Sequence, residues 1–385
     1  MNMKWDLDVM YKGYDDPKYT SDYNKVLEII KNINEFVETL DINNAVSCIE
    51  TYLKYEESLN ELLSELFTYS SLRSSTNVND YEALGEMGKL YMTLQETVGA
   101  DVKFTKFIKE VDLDVLKEQS ELIKTYLFKL KKTQEEASHM LSDKEEILAS
   151  KLNLVGSSSW GDLQSQLTAN LSIKVEGFDE KMPLSSVRNL AYDHSADVRK
   201  KAYVAELEAY KQIEDSVAMA LNNIKREVNI MMPLRKYNNA LEKTLIQSNM
   251  KKETLDAMIG AIKEERENLI RYFKLKAKAL GYKKGLPFYE LFAPMGNLVK
   301  TYTIEEAKEL VLKVYRSFSE PLYEMGKKAF EERWIDVLPH EGKVGGAFCA
   351  GIDNHAQSRI LTNFTGSLGD VQTLAHELGH AYHGQ

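Results

Sequence analysis

Cysteine is nearly absent: Cys48 and Cys349 are the only two in 385 residues, and they stand far apart. That is no disulfide framework, and it suits a reducing compartment. Proline occurs seven times, too seldom to interrupt long helices. No run approaches the roughly 18 apolar residues of a membrane span. The first residues, MNMKWDLDVMYKGYDD, lack the apolar stretch of a signal peptide. The expectation is a cytoplasmic protein with no membrane partner. An excess of positive charge is missing as well: the net charge is −10, which argues against nucleic acid held by phosphate contacts. The serine-rich GSSSWG is not the G-x-S-x-G elbow of a serine hydrolase, and no phosphate-cradling glycine loop occurs. What remains is an ordinary globular composition, 28% charged and 43% hydrophobic, long enough for two or three packed units.

Most of the first 150 residues carries helical periodicity. Tyr23, Val26, Leu27, Ile30, Ile33 and Val37 fall on one face. Further runs cover about Ala45–Leu72 and Leu84 to Leu94, and Ser142 with Glu145 forms a capping box. The many tyrosines here read as packing surface. Gly156 to Ser159 breaks the pattern. Leu171, Ile173 and Val175 then alternate with polar residues, and Lys181 to Leu184 can return as a hairpin partner. Ser185-Ser186 is placed to cap the next helix. Arg199-Lys200-Lys201 reads as a solvated face, with Ala202, Leu207 and Tyr210 pointing inward. Long helices lead to Gly281, followed by the loop-rich insert GYKKGLPFYELFAPMGN and a capped helix from Thr303 with Glu306. After Pro339 the texture turns to strand and loop. Three regions are expected: 1–112 helical, 113–185 helical ending in a β-hairpin, and 186–385 the start of a catalytic unit. The expected fold is mostly α, with small β elements near 171–184 and 347–364.

Histidine is also scarce, 7 in all, yet three fall in the last sixteen residues, DVQTLAHELGHAYHGQ. His376, Glu377 and His380 spell H-E-x-x-H. On a helix the two histidines stack on one face and can share a Zn²⁺ at roughly 2.0–2.1 Å each. Glu377, about 100° around the helix, is placed to accept a proton from water rather than bind metal. By chance the motif arises in such a chain on the order of one time in a hundred. Asp370, after Gly369, is the expected cap. Leu374, Leu378, Ala381 and Tyr382 form the expected apolar back. His383 lies on the same face but roughly 10–11 Å along the axis, suited to the cleft rather than the metal. A catalytic zinc takes three protein ligands and an open position, and only two are secure here. The expectation is therefore an incomplete site, with a third ligand absent from this stretch. Asp353 and His355 read as a polar loop, and His139, His194 and His340 have no metal-like spacing.

GGAFCAG, then SRILTNF, then DVQTLAHELGHAYHG resembles the active-site region of the oligoendopeptidase F group of thimet-oligopeptidase-like zinc metallopeptidases. WDLDVMY, ADVRKKAYVAELEAY, LRKYNNALEKTLIQSNM and LPFYELFAPM follow the same order, so the resemblance covers nearly the whole chain. It implies a multi-helical, zincin-like peptidase whose channel admits short oligopeptides. It also implies that His376 and His380 hold zinc, that Glu377 is the general base, and that the third ligand is a glutamate on a following helix. Arg359, Ile360, Leu361, Thr362 and Asn363 resemble the edge strand that pairs with substrate, with His383 nearby. The alternative is a non-catalytic helical scaffold with a degenerate H-E-x-x-H.

Overall fold

The computed structural model of the chain describes residues 3–296 and 300–385. Asn297, the last residue of the expected insert, lies outside them. Helices dominate. α1 (Pro17–Phe36) starts at Asp16, whose carboxylate accepts the Lys18 amide, with Pro17 in the first turn. α2 (Ala45–Thr76), α3 (Tyr81–Leu94) and α4 (Val98–Lys109) follow. Val26, Ile30, Ile49, Leu53, Leu66, Leu90 and Ile108 bury their side chains in the first core. Tyr11, Tyr14, Tyr19 and Tyr69 meet edge to face there, with ring centroids 5.0–5.4 Å apart, so the tyrosines are packing surface. Leu113, Ile123 and Leu130, beyond the boundary expected at 112, belong to this same core.

The break expected at 156–159 narrows to one residue. Gly156 alone leaves helical angles, at φ −96° and ψ −121°. A Cβ there would sit 2.6 Å from a Glu227 carboxylate oxygen, and that oxygen accepts the Ser157 amide at 2.9 Å. The hairpin forms as expected: β1 (Ser172–Lys174) pairs antiparallel with β2 (Lys181–Pro183), Ile173 opposite Met182. The next helix begins at Leu184 directly after Pro183, so Ser185-Ser186 lie inside it rather than capping it. Leu171, Ile173, Val175, Val187 and Ala202 build a second core.

Two readings of the following helix, Ala196–Tyr210, are corrected. Arg199 is buried, pairing with the fully buried Glu290 at 2.5 Å, because a guanidinium with a fixed carboxylate partner can leave water. Leu207 is 45% exposed and does not point inward. Helix Lys252–Ala279 is 28 residues long and buries only Lys276 and Ala277.

The third core positions the candidate site. β3 (Ile335–Asp336), β4 (Phe348–Ile352) and β5 (Gln357–Leu361) form a sheet in the order β3-β5-β4. β5 runs parallel to β3 and antiparallel to β4. β3 was not foreseen; two residues carry no period. Successive residues of a strand face opposite sides, and Ile360 and Leu361 use this. Leu361, with Ile352, packs on the first core. Ile360 packs with Trp334, Val311, Phe330 and Leu374, residues of helices Ile304–Phe318, Glu320–Glu331 and Leu368–His383 and their connections. The sheet is thus sandwiched between two helical layers. No described helix is long and apolar enough to cross a membrane.

Candidate active site

The motif helix, Leu368–His383, is capped at Ser367 rather than Asp370. Ser367 Oγ accepts the Asp370 amide at 3.0 Å, and Asp370 Oδ2 accepts the Ser367 amide at 3.0 Å. This reciprocal box is extended by the Thr365 amide, donated to the same Oδ2 at 2.9 Å. Val371, Leu374, Leu378 and Ala381 form the buried back of the helix. Tyr382, expected among them, is 42% exposed. The Tyr315 hydroxyl donates to the Ala375 carbonyl, fixing the turn that precedes His376. Burial pushes that hydroxyl up to about 12.

On the outer face the His376 and His380 Nε2 atoms lie 3.0 Å apart, with rings at 89°. Two nitrogens on one tetrahedral ion at 2.0–2.1 Å are separated by roughly 3.3 Å, so this donor pair fits chelation of one metal with little movement. Both rings are exposed and accessible. Glu377 is 8% exposed and turned toward β4. Burial, with the Glu377 carboxylate adding to it, pushes the Cys349 thiol of β4 up. His383 follows two turns on, exposed. Among the described residues no group of three His, Cys, Asp or Glu side chains is arranged to hold a metal.

The expected edge strand is not an edge. β5 is central: β4 pairs with it along Gln357–Leu361, and β3 pairs on the other side at Ile360 and Leu361. Arg359 is 1% exposed; it donates to the Asp6 carbonyl at 2.6 Å and to the Ser358 carbonyl at 2.8 Å, tying the N-terminal segment to the sheet. Ile360 and Leu361 are wholly buried. Thr362 Oγ1 donates to the Val337 carbonyl at 3.0 Å. Asn363 Nδ2 donates to the carbonyls of Val344 and Gly346 at 3.0 and 2.8 Å, fixing the diglycine loop that leads into β4. The edge position was implied by the family resemblance alone; the β-prone run itself signals a strand without its place in the sheet. The small-residue run GGAFCAG carries most of β4, within the β region expected near 347–364. The outer side of β3 is closed by the N-terminal segment: Val337 N–H donates to the Met3 carbonyl at 2.9 Å and Asp6 N–H to that of Arg333 at 2.8 Å. β4 has no strand on its outer side among the described residues.

A cleft of about 540 Å³ opens beside the start of β4, lined by Gly345, Ala347, Thr362, Asn363, Gly369 and Thr373. Gly369 and Thr373 of the cleft lie at helical spacing from His376 and His380, so the cleft and the histidine pair share one face of the helix. Asn363 Oδ1 and Ser185 Oγ, on residues lining it, are buried without partners. His355 and Asp353 stand in the turn joining β4 to β5. His355 Nε2 meets Glu65 at 3.0 Å, in keeping with a polar loop. His139 stacks on Tyr237.

Comparison with known proteins finds relatives over nearly the whole chain. The chain is 28% identical to oligopeptidase PepF of Bacillus subtilis over 98% of its own length and 57% of that protein's. It is 26% identical to an oligoendopeptidase F homolog of Lactococcus lactis over 99% of this chain and 64% of the relative. The chain thus spans about three fifths of the curated relatives it matches. Its fold is similar to PZ peptidase A, solved with an inhibitor, at TM-score 0.73 and 18% identity, covering 94% of this chain and 62% of that one. It is also similar to oligoendopeptidase-F from Enterococcus faecium, at TM-score 0.65 and 16% identity, covering 82% and 66%. A sequence profile described as oligopeptidase F matches residues 108–172. With a second profile matching residues 189–385, from the end of the helix after the hairpin to the histidine helix, the chain belongs to peptidase family M3.

Proposed function

We propose that this chain provides most of the catalytic framework of a cytoplasmic zinc metallopeptidase that hydrolyses short, unstructured oligopeptides. The observation that carries the reading is the convergent Nε2 pair of His376 and His380 beside the buried Glu377. His376 and His380 would hold the ion as neutral imidazoles, with a third donor from outside the described residues. Bound there, zinc supplies a Lewis acid that polarises the scissile carbonyl and acidifies water. Glu377 takes the proton of the attacking water on its carboxylate and delivers it to the departing amine nitrogen. The peptide lies extended against the outer side of β4, donating and accepting through main-chain groups as an added strand. That mode requires an unfolded substrate, because a folded one has its main-chain groups already paired. The two free cysteines and the family resemblance support the cytoplasmic location.

The test is hydrolysis of a quenched-fluorescent nonapeptide with added zinc. It is run on residues 1–385 and on a chimera that continues after Gln385 with the remaining part of the Bacillus subtilis relative. The chimera is expected to turn over the peptide and residues 1–385 alone to be nearly inactive. Glu377→Gln in the chimera should lower kcat by about 10²–10⁴ at unchanged zinc content. Wild-type turnover by Glu377→Gln would refute the role of Glu377.

A further inference from the structure

Next to the cleft lies a second cavity, of about 390 Å³, that the chemistry above does not use. Its walls are aromatic. Tyr192 meets Phe292 with ring centroids 5.2 Å apart, and Tyr203 meets Phe288 at 5.8 Å. Its floor is apolar: Val187 and Ala202 are 1% and 2% exposed. The rim residues Phe288 and Phe292 are 70% and 50% exposed, a clustering of apolar rings in water that marks a binding surface.

Arg188, Asn189 and Tyr192 line both this cavity and the cleft, so the two lie side by side across these residues. The position is also fixed. A Cβ on Gly369 would lie 3.7 Å from the Tyr192 ring, so that ring sits on the first turn of the motif helix. From Gly369 to His376 the helix rises roughly 10 Å, the span of about three residues of extended peptide.

We propose that this cavity is a specificity pocket for one bulky apolar side chain, aromatic by preference, about three residues from the scissile bond. The inference rests on the peptidase reading above and names the substrate class within it. The cavity has the size and apolar character of a small-ligand site, and a phenyl or indole ring entering it would meet the rings of Tyr192, Tyr203, Phe288 and Phe292. The polar cleft beside it takes the main chain of the same peptide.

The experiment uses residues 1–385 held in excess zinc and a blocked Ala/Ser nonapeptide. A set of variants carries a single Phe moved through each position, and binding is read by calorimetry. One register of Phe is expected to bind roughly tenfold tighter than the Phe-free peptide, the scale of burying one aromatic side chain. Phe288→Ala/Phe292→Ala, at exposed positions that leave the core intact, should erase that gain and leave the Phe-free peptide unchanged. His376→Ala/His380→Ala should weaken all peptides alike. A gain absent from every register, or one that survives Phe288→Ala/Phe292→Ala, overturns the pocket. A gain that persists when His376→Ala/His380→Ala has no effect on any peptide overturns the peptidase reading and keeps the pocket. If no peptide binds, ligand-observed NMR with N-acetyl-L-phenylalaninamide reads the cavity alone. Saturation transfer that Phe288→Ala/Phe292→Ala removes supports the pocket and places the failure on the peptidase reading; no transfer overturns the pocket.

Discussion

Glu65 of α2 is the residue on which the first core and the sheet meet. Its carboxylate accepts from Lys18 Nζ at 2.5 Å, Asn354 Nδ2 at 3.0 Å and His355 Nε2 at 3.0 Å. Burial pushes its pKa up, but the bonds from His355, Lys18 and Asn354 outweigh burial and hold it below the ordinary glutamate value. A folded-state pKa lower than the unfolded one stabilises the fold above the unfolded pKa and loses that contribution as pH falls through the folded value. Denaturant midpoints are therefore expected to fall below about pH 4.3, the ordinary glutamate range, and part of that slope should be missing in Glu65→Gln. At neutral pH the variant should lose about 1–3 kcal/mol, the scale of hydrogen bonds to a charged group. An unchanged acid limb in Glu65→Gln would count against it. The sequence gives no hint of this contact, because its partners are separated by 47 and 290 residues and no local period links them.

At the scale of elements, the motif helix was legible and its setting was not. The H-E-x-x-H spacing, the apolar positions Leu374, Leu378 and Ala381, and the hairpin at 171–184 each follow from a local period. The cap did not, because Ser367 and Asp370 compete for the role and only the backbone geometry decides between them. The order of strands did not either: β3 comes from residues that carry no alternation, and with it β5 becomes central. Tyr315 shows how another element holds the motif in place. Tyr315→Phe removes one hydrogen bond to the Ala375 carbonyl and keeps the ring. The expected loss is about 1 kcal/mol of stability, measured by urea unfolding. Zinc affinity should weaken with it, since the turn before His376 is then less fixed. A destabilised variant with unaltered zinc binding would separate Tyr315 from the metal-binding turn.

At the scale of the whole molecule, the number of donors sets the strength of the metal site. With two imidazoles among the described residues and no third donor, residues 1–385 are expected to bind zinc weakly, water filling the remaining positions. Zinc titration against a chromophoric chelator should show that affinity rising sharply in the chimera, and His376→Ala or His380→Ala removing it in both. One tightly held zinc per chain in residues 1–385 would instead require a third donor from within it. The helical class of the fold was legible throughout the chain, since period 3.6 persists over long stretches. Which helices would lie against which was not, and helix Lys252–Ala279 is the clearest case. It is anchored at one end, where Lys276 Nζ donates to the Leu291 carbonyl at 2.8 Å, while Met258, Ile262 and Leu269 along its length are 48%, 54% and 54% exposed. A helix held at one end frays from the other on its own, without waiting for the cores to open. Amide deuterium uptake along residues 252–270 should therefore run orders of magnitude ahead of uptake in α2, and a brief trypsin digest should nick this helix first while both helical layers around the sheet stay intact.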